Sequence, residues 1–209
     1  EIAFGAVLAV YSGYKMVEAI CYTKLKRDYC ISVLCLFYAI SIYQLLLQVY
    51  VCIICFGILG SIMNGTSEKL RDTLKMIGAS LLGLCFALAS YVVANQLFQN
   101  IFLKEKNPYV NHFFQWSQKD TGLIIGDVIY QLKLLIRSPN RVFEGGYILY
   151  IAYIALFLCF LYVILKYKGN RLSAILCFIG AGLSICIGNI FMGGEVPRRT
   201  MTVMHVFVG

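Results

Sequence analysis

Long charge-free apolar runs alternate with short clusters of Lys, Arg, Asp and Glu along the whole chain. A charge at the centre of a bilayer costs several kcal/mol, so a chain dissolved in lipid sorts its residues this way. A span needs roughly 20 apolar residues to cross about 30 Å of hydrocarbon. On that measure the pattern predicts spans at about 2–22, 30–43, 44–63, 76–97, 147–167 and 172–192, with a truncated one at 201–209. The apolar run at 30–63 is too long for one crossing. As a single helix it would extend roughly 50 Å at 1.5 Å per residue. Ser41-Ile-Tyr-Gln44 and Gln48 interrupt it, which predicts a hairpin with its turn at Ser41–Gln44, or a re-entrant element. Gly78, Ala79, Ser80, Gly83, Ala87, Ala89 and Ser90 give the 76–97 span a surface suited to close helix contact.

The segment at 104–146 is the one long polar stretch. Within it Ile125, Val128, Ile129, Leu132, Leu135 and Ile136 recur at helical spacing, while Asp127, Gln131, Lys133 and Arg137 fall mostly off that stripe. That is the signature of an amphipathic helix lying at the membrane surface. Ser138-Pro139-Asn140 ends it. The predicted fold is therefore all-α, a polytopic transmembrane helical bundle forming one membrane domain over 1–209. It has one long extracytoplasmic segment containing an interfacial helix. With a hairpin at 30–63, the short basic connectors around Lys24–Arg27, Lys69–Lys75 and Lys166–Arg171 share the cytoplasmic side. The 104–146 segment, the Ser41–Gln44 turn and the 193–200 connector then lie outside.

Composition agrees with this picture. Hydrophobic residues are 60% of the 209 and charged residues 13%, against about 25% charged in soluble domains. Mean hydropathy is +0.79. The net charge of +8 comes from Lys and Arg flanking the apolar runs, with no basic stripe along a soluble domain, so a nucleic-acid partner is not predicted. The nine Cys lie in or beside apolar runs, and the long polar segment has none, which excludes a secreted disulfide scaffold. Cys52 and Cys55 have CxxC spacing but sit inside Val-Cys-Ile-Ile-Cys-Phe, as span residues do. Asn64-Gly-Thr66 is read as a turn signal. No basic stretch precedes the first apolar run, so it is not a signal peptide. The chain starts without Met and stops inside an apolar run, and is read as a fragment of a longer protein.

Candidate chemistry collects on the outer side. No Asp or Glu falls inside a confidently read span, which weakens an ion-coupled transporter. Outer carboxylates are Glu105, Asp120, Asp127, Glu144 and Glu195. Tyr43 and Gln44 offer a phenol and an amide to a sugar or acceptor, or else cap helix ends at the interface. Arg198 and Arg199 follow Pro197 where a span re-enters the membrane; they can hold a phosphate bidentately or snorkel to headgroups. His112 and Trp116, four apart beside Phe113 and Phe114, offer an acceptor edge or an interfacial anchor. No GxGxxG, P-loop, HExxH or nucleophile-elbow pattern occurs.

Ser41-Ile-Tyr-Gln44 opening an apolar span, a later outer segment, and Pro197-Arg198 opening another span resemble the bacterial glucosyltransferase II family over about 4–209. These are polytopic enzymes of the GT-C type, first known from phage-driven O-antigen modification. The resemblance implies a multi-pass enzyme of the bacterial cytoplasmic membrane. Its partners would be the bilayer, a polyprenyl-phosphate sugar and a cell-surface polysaccharide acceptor such as O-antigen or wall glycan. It implies transfer of a glucosyl, or another hexosyl, group on the outer face. Such chemistry needs a base for the acceptor and positive charge for the departing phosphate. The acidic residue of GT-C enzymes comes from an early outer loop, so the base is expected N-terminal to Glu1. Arg198, and after it Arg199, fit the phosphate. No metal ligand set and no cofactor is identifiable, which leaves room for a divalent metal. A permease or flippase of lipid-linked sugars, and a polysaccharide polymerase or ligase, are the alternatives.

Overall fold

The computed structural model describes residues 1–23, 25–65, 69–102, 120–137, 146–167, 169–184, 187 and 190. All regular structure among them is helical. The helices are α1 (Ile2–Val17), α2 (Lys26–Ile42), α3 (Leu47–Met63), α4 (Leu70–Phe102), α5 (Thr121–Arg137), α6 (Gly146–Lys166) and α7 (Arg171–Ser184). The protein is an all-α membrane bundle. Among the described residues, three helical runs are long and apolar enough to cross a membrane: Ile2–Thr23, Gln44–Met63 and Leu70–Phe98.

Helix α1 sits at the centre and packs against both α2 and α3, whereas α2 and α3 scarcely touch each other. Small residues permit that closeness. A methyl group on Gly13 would come within 2.8 Å of Ile53 Cγ2, and one on Gly57 would collide with the Val17 side chain. Polar locks reinforce the seam with α2. Ser12 Oγ donates to the Ser32 carbonyl at 2.7 Å and Ser32 Oγ donates to the Ser12 carbonyl at 2.8 Å. Both serines are fully buried, where an unbonded hydroxyl would be costly.

Helix α4 packs against α2, tied by the Tyr29 hydroxyl donating to the Ala79 carbonyl at 2.9 Å. Its remaining surface exposes Leu81, Leu82, Phe86, Val92, Val93 and Phe98, a face made for lipid tails. At 33 residues, α4 extends past both ends of the 76–97 apolar stretch. Lys, Arg and Glu form helix well, so charge ends a crossing without ending a helix. Helix α3 ends at Asn64 and Gly65. Gly65 has φ 76°, and its N–H bonds the Ile62 carbonyl at 3.0 Å. This left-handed position favours Gly and satisfies a carbonyl of the last turn.

Helix α7 lies along α3, and a ring stack of Phe160 on Phe178 at 3.6 Å joins α6 to α7. The Tyr167 hydroxyl donates to the Ile62 carbonyl at 2.7 Å, fixing the α6–α7 connector to the end of α3. Helix α5 buries Ile124 completely and exposes Leu123, Ile125, Ile129 and Tyr130. Two members of its predicted apolar stripe, Ile125 and Ile129, thus face away from protein.

Candidate functional site

The break between α2 and α3 is built by Tyr43. Its backbone is extended at φ −158°, ψ 110°, between the end of α2 and a single 3-10 turn, Gln44–Leu46. The Tyr43 N–H still bonds the Ala39 carbonyl at 2.9 Å, and the Leu46 N–H bonds the Tyr43 carbonyl at 3.0 Å. The backbone groups freed by the turn are thereby satisfied inside an apolar run. Gln44 then reaches across to α4, where its Nε2 donates to the Tyr91 hydroxyl at 2.6 Å. Tyr43, Gln44 and Tyr91 are each half-buried, so this end of the bundle offers two phenols and an amide.

Between α3, α4 and α7 lies a cavity of about 300 Å³. Val51, Ile54, Ile58, Ile77, Leu81, Leu84 and Leu176 line it, with Cys55, Cys177 and Gly180 on the α3–α7 side. Its wall is apolar almost throughout. Ser80, which also lines it, spends its hydroxyl on the Met76 carbonyl at 2.6 Å. Tyr50 lines it as well, but with so little polar surface the space suits hydrocarbon better than a nucleotide or a free sugar.

Just beyond the cavity, Gln48 on α3 is 1% exposed, and neither its Nε2 nor its Oε1 has a hydrogen-bond partner. The Tyr50 hydroxyl is likewise buried without a hydrogen-bond partner. Ser61 and Ser173 also bury unpartnered hydroxyls. In the sequence Gln48 reads only as an interruption of the apolar run; its burial without a partner is a tertiary fact.

A second polar group lies at the opposite end of α1. The helix runs on past Val17 through a π turn, Glu18–Thr23, so the first helical run carries Glu18 and Lys15. Glu18 stands three residues from Lys15 on the same helical run and pairs with it, Nζ to Oε2 at 2.6 Å. Lys15 also faces Asp28 Oδ1 at 3.5 Å, and Thr23 Oγ1 lies 3.3 Å from Asp28 Oδ2. Asp28 is 2% exposed, and its charge is tolerated because cation and hydroxyl both meet it. Among the described residues no group of three or more His, Cys, Asp or Glu could hold a metal ion. Cys52 and Cys55 are free thiols, the latter in contact distance of Gly180 on α7.

Of the sequence-derived candidates, Tyr43 and Gln44 stand at the α2–α3 break. His112, Trp116, Arg198 and Arg199 lie outside the described residues.

The family model described as Glucosyl transferase GtrII matches residues 1–209, the whole chain. The chain belongs to the GtrII glucosyl transferase family. Membership carries glucosyl transfer as the general activity. No curated protein and no solved structure matches the chain.

Proposed function

We propose that this GtrII chain takes part in moving a glucosyl group from a polyprenyl-phosphate carrier to a cell-surface polysaccharide at the outer face of a bacterial cytoplasmic membrane. The observation that carries the donor class is the 300 Å³ apolar cavity between α3, α4 and α7. A glucosyl donor anchored by an isoprenoid chain fits such a wall; a nucleotide sugar, charged and polar, does not. In this reading the basic connectors lie inside and the α2–α3 break lies outside. Tyr43 and Gln44 then stand at the level of lipid headgroups, beside Tyr91. Arg198, with Arg199, holds the carrier phosphate, and positive charge there stabilises the leaving group as the glycosidic bond to phosphate breaks. His112 and Trp116 meet the acceptor.

The test uses the full-length parent protein in native membranes. It compares label transfer to extracted polysaccharide from radiolabelled polyprenyl-phosphate glucose and from nucleotide-linked glucose. Label should move from the lipid donor alone, and Arg198→Ala should abolish it while the protein still inserts. Transfer from the nucleotide donor without lipid would overturn the donor assignment. Full activity in Arg198→Ala would overturn the phosphate role.

A further inference from the structure

Gln48 lies one helical turn, about 6 Å, from Gln44. Along α3 it heads the stripe Val51, Cys55 and Ile58, spaced three, seven and ten residues on, all of which line the apolar cavity. The same helix side meets α7, since a methyl on Gly180 would sit 3.0 Å from Cys55 Sγ. The amide is thus placed between the cavity and the end of the bundle that carries Gln44 and Tyr91. A lipid whose tail fills the cavity and whose head reaches that end must pass Gln48.

An apolar residue would pack here without penalty, whereas a buried amide with both polar atoms unbonded is costly. The chemistry of the two free atoms selects its ligand. Nε2 can only donate and Oε1 can only accept. A phosphate ester accepts but does not donate, so it would satisfy half of this side chain. A sugar hydroxyl does both, and neighbouring hydroxyls of a hexose can meet the two atoms together. We infer that Gln48 is a sugar-recognition residue, its amide pairing with hydroxyls of the hexose carried by the lipid-linked donor. This rests on the lipid-linked reading of the donor. Gln48 is 1% exposed, so the hexose meets it when the helices packed around it part.

The experiment compares wild-type full-length protein with Gln48→Met, an apolar side chain of similar volume. Gln48→Leu replaces it should the first variant fail to insert. Melting temperature in detergent is read alone, with sugar-free polyprenyl phosphate, and with polyprenyl-phosphate glucose; transfer kinetics are read in parallel. The variant should melt at or above wild type when alone and respond to the sugar-free carrier as wild type does. It should lose the added stabilisation from the glucose, and kcat/KM should fall about ten- to a hundredfold, as expected for two hydrogen bonds. Unchanged kcat/KM would overturn the assignment. So would equal loss of response to both lipids, or a lowered melting temperature alone, because each marks Gln48 as a packing residue. A wild type that answers neither lipid and transfers no label would instead overturn the donor reading beneath it.

Discussion

Substituting Gly57 by Ala tests the packing that holds the bundle together. The new methyl would collide with Val17 Cγ2 and lie 2.9 Å from Cγ1 and 3.1 Å from Cβ, where ordinary contact begins near 3.4 Å. Val17 cannot turn away, because a helical Val is held in one χ1 rotamer about 90% of the time. The helices must therefore part by several tenths of an ångström, and neighbouring contacts such as Gly13 against Ile53 loosen with them. Overpacking of this kind costs about 1–3 kcal/mol, or roughly a 5- to 150-fold rise in the unfolded fraction. Val17→Ala removes the atoms struck, so the double variant should recover most of the loss, with a coupling of about 1 kcal/mol or more. Equilibrium unfolding of the full-length protein in mixed detergent micelles reads all four species. A Gly57→Ala protein within about 0.5 kcal/mol of wild type, or additive effects in the double variant, would refute the close α1–α3 approach.

Four further outcomes follow from other contacts in the bundle. Tyr91→Phe removes the acceptor of the Gln44 amide; stability should fall by about 0.6 kcal/mol, typical of a hydrogen bond between membrane helices, in the same unfolding assay. Ser12→Ala should cost a similar amount, whereas Ser12→Leu, which forces α1 from α2, should abolish folded yield on size-exclusion chromatography. Ile77→Trp fills the apolar cavity and should lower kcat/KM for lipid-linked donors severalfold while leaving the melting temperature near wild type. Lys15→Met strips the cation from Glu18 and the buried Asp28; its melting temperature should drop and should recover when Asp28→Asn is added.

Hydropathy made the bundle legible because lipid imposes a strict rule on every residue it touches. The same rule explains the misfit at α4. Apolarity marks residues 76–97, whereas helix α4 runs on through the charged turn Leu70–Lys75 and past Leu97 to Phe102. The break at Tyr43 was legible from length and from the polar interruption it causes. Its partner Tyr91 was not, because nothing in local spacing joins residues 47 apart. The Lys15–Glu18–Asp28 group was legible only in part: Lys15 and Glu18 stand three apart on one helix, whereas the Lys15–Asp28 pair forms only once α1 packs on α2. Gln48 reads from sequence as one amide in an apolar run; only the packing of α3 shows that nothing answers either of its polar atoms.

The central claim is that glucose travels from a lipid carrier through the membrane bundle to a polysaccharide. The most direct test places purified full-length protein in liposomes with radiolabelled polyprenyl-phosphate glucose and isolated surface polysaccharide, with no nucleotide sugar present. The account predicts label in the polysaccharide, in step with release of unglycosylated polyprenyl phosphate. Label that stays on the lipid while the lipid crosses to the other leaflet would contradict it and would make the protein a flippase.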